Sequence, residues 1–334
     1  MRKIAILGGG SWGTALAIVL SRSRMPHRLV LWVHDPAVCE KIRATRINET
    51  YLPGFPLPPD TEVTHEATAA LHGAAVVVGV MPSANACAVY TEMLPHFTPE
   101  MAFVSATKGL EPRTHARMSE VLHQVISAKF LPRVSALSGP SFALEVARGD
   151  PTAVVIASRD LQLASSIQEE FSGPTFRLYT NDDLLGVELG GAVKNVIALA
   201  AGICHGLGLG HNTLAALITR GLAEMARLAV TLGARPETLA GLAGMGDLVL
   251  TCTGALSRNR SVGIELAKGR PLAEILSGMR MVAEGVSTTA ATLELARAAR
   301  VEMPITEQMN AVLHEGRSPR DAIREMMERR LKQE

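Results

Sequence analysis

The sequence is poor in charged residues, aromatic residues and cysteine, and each shortage excludes a class of protein. Only 19% of its 334 residues are charged and 4% are aromatic, whereas 47% are hydrophobic. This composition can bury a core and is unlike that of a disordered, collagen-like or coiled-coil chain. The 33 basic residues nearly balance the 32 acidic ones, so no overall field would attract nucleic acid or an anionic membrane surface. A bound anion would have to be held by local groups.

The four cysteines lie far apart without C-x-x-C spacing, which argues against a disulfide framework or a cysteine zinc site. The scattered cysteines favour a reducing, cytoplasmic compartment. His205 and His211 have no carboxylate at ligand spacing, so we expect no metal site. The most apolar internal runs, Ala74 to Met81 and Val196 to Cys204, are far shorter than the roughly 20 residues of a membrane span. The apolar start of the chain is interrupted by three glycines, and we interpret it as folded structure rather than a signal peptide.

Short apolar runs alternate with helical stretches over the first half of the chain, which predicts a mostly parallel sheet covered by helices. The predicted strands are Ile4 to Leu7, Leu29 to Val33, Ala75 to Val80, Ala102 to Ala106, Val134 to Leu137, Val154 to Ala157 and Phe176 to Tyr179. Tyr51 to Asp60 carries four prolines and is predicted to be a surface loop. From Leu184 onward, long stretches with helical periodicity follow. We therefore predict a doubly wound, Rossmann-like α/β domain over residues 1–183 and an all-helical domain over residues 184–334.

A glycine-rich motif directly after the first predicted strand indicates a dinucleotide site. Gly8, Gly10 and Gly13 form a G-x-G-x-x-G that opens a helical stretch. In this motif the first glycine allows a tight turn, the second leaves room for the pyrophosphate, and the third lets the helix pack on the sheet. The second strand leads to His34 and Asp35; an acid favours NAD, whereas a histidine that carries positive charge could face the extra phosphate of NADP. We therefore predict NAD(P) as the cofactor and leave the preference open.

Two loops at the carboxyl edge of the predicted sheet carry polar residues. Lys108 closely follows the strand that ends at Ala106, where open α/β folds place their ligands. The loop from Ser138 to Ala143 leads into a helix and would present free backbone N–H groups to an oxyanion or a substrate hydroxyl. A solvated lysine and a plain helix start are the alternatives for these two features.

The helical half contains a lysine in unusual surroundings. Lys194 lies in the middle of an apolar helical stretch, where a lysine needs a partner or a role unless its side chain extends to solvent. Burial and a nearby cation such as Lys108 would lower its pKa from about 10.4 and make it a proton acceptor near neutral pH. Asp247 lies between glycines further along. Three polar residues at a later helix start form either a phosphate site or a surface cap: Ser257, Arg258 and Asn259.

Together these motifs resemble those of bacterial NAD(P)-dependent glycerol-3-phosphate dehydrogenases, nearly from end to end. Besides the Gly8 motif, the matching strings are Ala106 to Glu111, Ser138 to Ala143, Val187 to Val196, Asn212-Thr213, Ala216 to Gly221, Gly244 to Leu248, Thr251 to Thr253 and Ser257 to Arg260. The resemblance implies interconversion of sn-glycerol 3-phosphate and dihydroxyacetone phosphate, which supplies glycerol phosphate for phospholipid synthesis. It also implies a homodimer with the active site in the cleft between the two domains.

The resemblance implies roles for individual residues as well. Lys194 would be the proton acceptor, and Lys108 and Asp247 would polarise and orient the reacting carbons. The implied substrate-binding residues are Lys108, Gly139, Ser141, Lys194, Asn195, Asp247, Thr251, Ser257, Arg258 and Asn259. The implied cofactor-binding residues are Gly8, Gly10, Ser11, Trp12, Gly13, His34, Lys108, Ala143, Arg258, Val282 and Glu284. Positions that depart from the usual family pattern, none of them implied as catalytic, are Leu144, His211 and Leu214.

Two other functions stay open at this point. A related two-domain dehydrogenase could act on a hydroxyacyl thioester or a sugar acid phosphate, although a hydroxyacyl enzyme is expected to use a His/Glu pair and we expect no histidine in the helix of Lys194. A non-catalytic sensor would bind nicotinamide dinucleotides without turnover. In a sensor, the two lysines and Asp247 would have no role.

Overall fold

The computed structural model describes residues 1–330, and a large sheet organises the first half of the chain. Its eight strands are β1 (Arg2–Leu7), β2 (His27–Trp32), β5 (Glu62–Thr64), β6 (Ala74–Gly79), β7 (Ala102–Ser105), β8 (Arg133–Ser138), β9 (Thr152–Ala157) and β10 (Phe176–Asn181); a separate pair is formed by β3 (Ile47–Asn48) and β4 (Leu52–Pro56). The order is β10-β9-β8-β7-β6-β1-β2-β5, and within this sheet all neighbours are parallel except β8 and β9. This mostly parallel, Rossmann-like sheet confirms the predicted fold class.

Seven α-helices accompany the strands: α1 (Ser11–Leu20), α2 (Pro36–Thr45), α3 (Ala67–Leu71), α4 (Ser83–Met93), α5 (Met118–Ile126), α6 (Ala143–Arg148) and α7 (Leu161–Phe171). The second half contains α8 (Leu184–Gly206), α9 (His211–Thr231), α10 (Pro236–Ala240), α11 (Asp247–Thr253), α12 (Arg258–Ala267), α13 (Leu272–Ser277), α14 (Glu284–Ala299), α15 (Pro304–His314) and α16 (Pro319–Met327). A 3-10 turn spans Leu94–His96 and a π turn spans Leu242–Gly246. Up to residue 330 no strand follows β10, as predicted; residues 331–334 of the predicted second domain lie outside the described residues.

The alternation of side chains along β1 explains why helices cover both faces of the sheet. Ile4 and Ile6 belong to one buried cluster, and Ala5 and Leu7 belong to another. Successive side chains of a strand point to opposite faces, so a strand that is apolar throughout needs a cover on each side. The helices that follow each strand supply these covers.

Helix α8 forms the centre of the helical half, and every residue from Leu189 to Cys204 is buried. By length and composition it could cross a membrane, but 89% of its most apolar stretch is buried inside the protein. The expectation that the apolar runs are too short for a span is wrong for this helix, because the run from Val196 to Cys204 is only part of it. The whole helix has 23 residues. Its burial on all sides is typical of a core helix.

The proline-rich segment is not the plain surface loop that the sequence predicts. β4 pairs with β3 in an antiparallel hairpin. Pro53 and Pro56 fit in β4 because a two-stranded pair needs few of its backbone N–H groups. Leu52 and Leu57 are buried in the same cluster as one face of the sheet, so the hairpin is anchored to it. The sequence pattern does not predict β5 either, since three residues carry little alternation.

Candidate active site

The glycine-rich turn between β1 and α1 has the shape that a pyrophosphate requires. Gly8 has a φ of 137°, and a Cβ there would lie 2.6 Å from the carbonyl oxygen of Val80. A Cβ on Gly13 would lie 1.9 Å from the carbonyl oxygen of Gly8, whereas a Cβ on Gly10 would meet nothing within 4 Å. The buried Nε1 of Trp12 has no partner among the described residues. An open cradle beside an unpartnered N–H group fits a bound dinucleotide.

The two residues after β2 that bear on cofactor preference differ in their surroundings. Asp35 caps α2, since its Oδ1 accepts hydrogen bonds from the backbone N–H groups of Ala37 at 2.8 Å and Val38 at 3.3 Å. His34 is exposed, and its ring is tilted against Trp32 with the ring centroids 5.6 Å apart. His34 is therefore available to face a phosphate while Asp35 supports the helix, and both readings of the cofactor preference stay open.

Two lysines and one aspartate form the centre of the site. Asp247 is 1% exposed, and its carboxylate accepts from both ammonium groups. The Nζ of Lys108 lies 2.9 Å from its Oδ2, and the Nζ of Lys194 contacts its Oδ1. Lys108 also donates to the carbonyl oxygen of Gly139 at 2.7 Å and to the hydroxyl of Ser141 at 3.2 Å. The structure thus brings together residues that follow β7 and β8 with residues on α8 and α11.

Lys194 is 5% exposed, and its pKa is low for a lysine. Its Nζ donates to Oγ1 of Thr251 at 2.9 Å, and that hydroxyl donates to the main-chain oxygen of Asp247 at 2.6 Å. Burial lowers the pKa of Lys194 from 10.5 to about 7; the charge of Asp247 acts against this shift, and the charge of Lys108 adds to it. An amine with this pKa can accept or donate a proton near neutral pH.

Two glycines let α8 bring Lys194 to the edge of the sheet. A Cβ on Gly191 would lie 2.5 Å from Oγ of Ser138 at the end of β8. A Cβ on Gly190 would lie 2.7 Å from the carbonyl oxygen of Ala243 in the π turn. The π turn leads directly into Asp247 and α11, and such turns are frequent at functional sites. The close approach of three elements therefore depends on residues without side chains.

A second polar group adjoins this centre and joins α8 to α12 and α14. Nδ2 of Asn259 donates to Oδ1 of Asn195 at 2.8 Å, and Oδ1 of Asn259 accepts from the N–H of Gly285 at 2.9 Å. The carboxylate of Glu284 accepts from the N–H of Ser83 at 2.9 Å and from its hydroxyl at 2.5 Å. Because Ser83 begins α4 after β6, this contact connects the helical half to the sheet half. Sequence reasoning missed Ser83, although its place after a strand at the carboxyl edge is a usable signal.

The helix start that is predicted to be either a phosphate site or a surface cap is a helix cap in the structure, and phosphate binding there stays a prediction. Oγ of Ser257 accepts from the N–H of Arg260 at 3.2 Å and so caps α12. Arg258 is exposed at the first position of this helix. Burial raises the pKa of Glu284, while hydrogen bonds from Ser83 and the charge of Arg258 oppose that shift. Arg258 is therefore close enough to Glu284 for the two charges to interact.

An ion pair that the sequence does not reveal also ties α8 to the sheet half. Oε2 of Glu188 accepts from Nη1 of Arg117 at 2.7 Å and from the hydroxyl of Ser119 at 2.6 Å. Oε1 of Glu188 accepts from the N–H of Ser119 at 2.7 Å. These contacts hold α8 against α5 less than two turns before Lys194. Of the other predicted cofactor residues, Ser11 and Ala143 begin helices, and Val282 lies exposed just before α14.

A separate cluster of metal-ligating residue types lies outside this site. Cys39, Glu40 and His65 place one donor atom each within 4.8 Å of one another. Glu40 is already paired with Arg43 at 2.7 Å, and His65 with Glu66 at 3.0 Å. A cation would have to compete with Arg43 for Glu40, so we assign no metal to this cluster.

Comparisons with known proteins match nearly the whole chain. Two family models match, described as the N-terminus of NAD-dependent glycerol-3-phosphate dehydrogenase over residues 3–164 and its C-terminus over residues 183–324. The chain is 58% identical over 330 residues to a glycerol-3-phosphate dehydrogenase (NAD(P)+) of Koribacter versatilis, with 98% of each chain covered. It is 51% identical to the Geobacter sulfurreducens protein of the same name, over 99% of this chain and 98% of that one.

A solved structure shows the same fold. The crystal structure of glycerol-3-phosphate dehydrogenase from Coxiella burnetii superposes with a TM-score of 0.93 at 41% sequence identity. The match covers 98% of this chain and 99% of that chain. A ketopantoate reductase from Ralstonia eutropha matches with a TM-score of 0.59 at 15% identity, a likeness of fold alone.

Proposed function

The chain belongs to the family of NAD-dependent glycerol-3-phosphate dehydrogenases, and from this premise we propose which of its residues carry the reaction. The protein is an oxidoreductase that interconverts sn-glycerol 3-phosphate and dihydroxyacetone phosphate with NAD(P). This reaction supplies glycerol phosphate for phospholipid synthesis. The observation that carries our residue assignment is the cluster that Lys108 forms with the buried Asp247 and Lys194. When bound, NAD(P) supplies the hydride acceptor for oxidation and the hydride donor for reduction.

Lys194 is the proposed proton-transfer residue. In the oxidation of the alcohol, its neutral amine accepts the proton of the C2 hydroxyl group. In the reduction of the ketone, its ammonium form returns that proton. Lys108 stabilises the negative charge that develops on the C2 oxygen, and Asp247 orients both amines. A pKa of about 7 for Lys194 makes both protonation states accessible at neutral pH.

The residues around this centre position the substrate and the cofactor. We propose that four residues bind the carbon chain of the substrate. Gly139 and Ser141 are the two loop residues that contact Lys108, and Thr251 and Asn195 lie on the helical side. Ser257, Arg258 and Asn259 hold the phosphate, because a helix N-terminus with a guanidinium suits a dianion. We assign the dinucleotide to Gly8, Gly10, Ser11, Trp12, Gly13, His34, Lys108, Ala143, Arg258, Val282 and Glu284.

Replacing Arg258 with alanine is expected to raise KM for both phosphorylated substrates by about 10- to 100-fold, since a charge-assisted hydrogen bond contributes about 1.5 to 3 kcal/mol. kcat should fall less, because the phosphate is remote from C2. Steady-state assays with dihydroxyacetone as a phosphate-free substrate give the internal control, since its slow turnover should not change. Arg297→Ala is a matched control, because Arg297 is exposed and pairs with Glu294. A rise in KM for the dinucleotide, with KM for the phosphorylated substrates unchanged, would contradict the phosphate assignment and leave Arg258 with the cofactor alone.

The pH dependence of the two directions is expected to be opposite. Below about pH 7 Lys194 is mainly an ammonium, so kcat/KM for oxidation of glycerol phosphate rises as the pH rises through this value. kcat/KM for reduction of dihydroxyacetone phosphate falls over the same range. Both substrates are phosphate monoesters, so titration of the phosphate moves both profiles in the same direction. Its effect can therefore be distinguished from that of the lysine, which moves them in opposite directions. Profiles that change in parallel would contradict the assignment of Lys194.

The assembly, the compartment and the domain boundary are further proposals. We propose a homodimer that works in the cytoplasm. We also propose that residues 1–183 bind the dinucleotide and residues 184–334 bind the substrate. The end of β10 at Asn181 and the start of α8 at Leu184 support this boundary.

An absorbance assay of reduced nicotinamide tests the function directly. Purified protein with dihydroxyacetone phosphate should oxidise NADPH, NADH or both, and the comparison of the two measures the cofactor preference. Binding of NADPH without turnover of any small phosphate would favour the sensor.

For a hydroxyacyl enzyme, the expectation that no histidine shares the helix of Lys194 is wrong, because His205 lies in the last turn of α8. His205 is exposed and three turns from Lys194, however, so it supports no His/Glu pair there.

A further inference from the structure

Asn48 is a buried polar residue that the proposed reaction does not use. It ends β3 in the small hairpin and is 0% exposed. Its Nδ2 donates to the carbonyl oxygen of Gly9 and to Oγ1 of Thr14, each at 2.8 Å. Its Oδ1 accepts from the N–H of Tyr51 at 3.2 Å, so both ends of the carboxamide are engaged. The hairpin thus sends one side chain to the glycine-rich turn, 39 positions earlier in the chain.

The contact with Gly9 sets the orientation of a peptide group in that turn. In a trans peptide the C=O and the next N–H point in opposite directions, and the described chain has no cis peptide. Because the carbonyl of Gly9 points to Asn48, the N–H of Gly10 points away from it. Thr14 repeats this arrangement, since its Oγ1 donates to the carbonyl oxygen of Gly10 at 2.9 Å. The N–H of Ser11 consequently points away from Thr14.

The hairpin itself is held firmly enough to place this carboxamide. Arg46 adopts a φ of 59°, and its guanidinium donates to the carbonyl oxygens of Pro58 at 2.5 Å and Thr61 at 2.8 Å. Leu52 and Leu57 anchor the hairpin in the core. The proline-rich segment therefore does more than connect β2 to β5, because it fixes the position of Asn48.

We propose that Asn48 is a positioning residue for the dinucleotide. It holds the carbonyl of Gly9 directly, and that of Gly10 through Thr14, so that the N–H groups of Gly10 and Ser11 are oriented in advance for the pyrophosphate. The carbonyl of Gly10 also accepts from the N–H of Thr14 at 3.0 Å, so it is the carbonyl of Gly9 that can turn toward the phosphate and repel it when the carboxamide is lost. A turn that is already ordered also loses less entropy when the ligand binds. This inference rests on the proposed role of the turn in cofactor binding.

Equilibrium titration with NADPH and NADH, followed by tryptophan fluorescence, tests the proposal without turnover. Trp12 lies in the first turn of α1, next to the glycine-rich turn, and Trp32 lies at the end of β2, so the signal is local. Asn48→Ala and Thr14→Val should each raise Kd, by about tenfold for Asn48→Ala because the two neutral hydrogen bonds to Gly9 and Thr14 are lost. kcat at saturating dinucleotide and KM for dihydroxyacetone phosphate should change less than about twofold. Thr14→Ser keeps the hydroxyl and should retain the Kd of the wild type.

Controls separate this proposal from a purely structural role and from failure of the proposed function. Glu49→Gln, in the same hairpin but exposed, should leave Kd unchanged. Wild-type Kd in both Asn48→Ala and Thr14→Val would overturn the proposal. A parallel loss of dinucleotide affinity, kcat and unfolding temperature would also overturn it, because such a loss indicates a general loosening of the structure. If Asn48→Ala does not fold, Thr14→Val alone tests the proposal. Failure of the wild type and Glu49→Gln to bind either dinucleotide would overturn the cofactor assignment and this inference together.

Discussion

Replacing Lys194 with methionine is expected to lower kcat by about 10²- to 10⁴-fold in both directions, the range typical of a lost general acid or base. Methionine fills a buried site of similar shape but carries no exchangeable proton. Lys108 is a poor replacement, because Asp247, Gly139 and Ser141 already hold its ammonium. KM for dihydroxyacetone phosphate should change far less than kcat, since phosphate binding is assigned to other residues. Absorbance of reduced nicotinamide at saturating substrates measures both constants.

Binding measurements make this result specific for proton transfer. Lys268→Met is the matched control, because Lys268 is exposed and pairs with Glu265 at 2.7 Å on the surface of the helical half. Both variants should bind the dinucleotide with the Kd of the wild type. Retention of kcat in Lys194→Met within about tenfold of the wild type would contradict the assignment. Loss of dinucleotide binding would show instead that Lys194 supports the cleft as a whole.

The sequence predicts Lys194 for a reason that the structure bears out. A charged residue in a long apolar helical stretch has to meet a partner or solvent, and here it meets Asp247 and Thr251. Lys108 follows from the rule that ligands bind at the carboxyl ends of parallel strands. The strands of the large sheet follow from their apolar runs, apart from β5. The strands and the positions of the two lysines could be predicted because each depends on local pattern and on one general rule of topology, whereas the roles of the lysines stay predictions.

Contacts between distant segments account for what the sequence does not predict. Ser83 meets Glu284 across 201 positions, and Arg117 meets Glu188 across 71. Nothing in the local pattern of either partner indicates the other. The hairpin of β3 and β4 is not predicted for a different reason. Its prolines indicate a loop, and Leu52 and Leu57 alone are too few apolar residues to indicate a strand. Polar partners become predictable only once the elements that carry them have been placed together.

The two lysines around Asp247 differ in exposure, and this difference suits the two roles that we propose for them. Asp247 contacts both amines, and one carboxylate compensates one of the two positive charges. The side chain of Lys194 is 6% exposed and that of Lys108 is 18% exposed. Burial lowers the pKa of Lys194, which suits proton transfer, and we propose that Lys108 faces the developing alkoxide.

Replacing Asp247 with asparagine is expected to destabilise the protein by about 3 to 5 kcal/mol below pH 7, because two ammonium groups lose their buried counter-charge. The folded state already depresses the pKa of Lys194 to about 7, so its ammonium costs stability below that pH and the cost disappears as the pH rises toward 10.5. Loss of Asp247 removes the interaction that opposes this depression. The pKa falls further, so the deficit should shrink as the pH rises toward 7 and keep its smaller value above pH 7, where Lys194 is neutral in both folded proteins.

The same variant should move the acid limb of the oxidation profile to lower pH, because a lower pKa leaves Lys194 neutral in more acidic solution. kcat itself should fall, since neither amine is oriented by the carboxylate any longer. Thermal unfolding at pH values on either side of 7, together with kcat/KM for glycerol phosphate, measures both effects. Asp60→Asn, at an exposed position, is the control for loss of one carboxylate. An acid limb at higher pH, or a stability deficit that grows above pH 7, would show that Asp247 does not stabilise the charged form of Lys194.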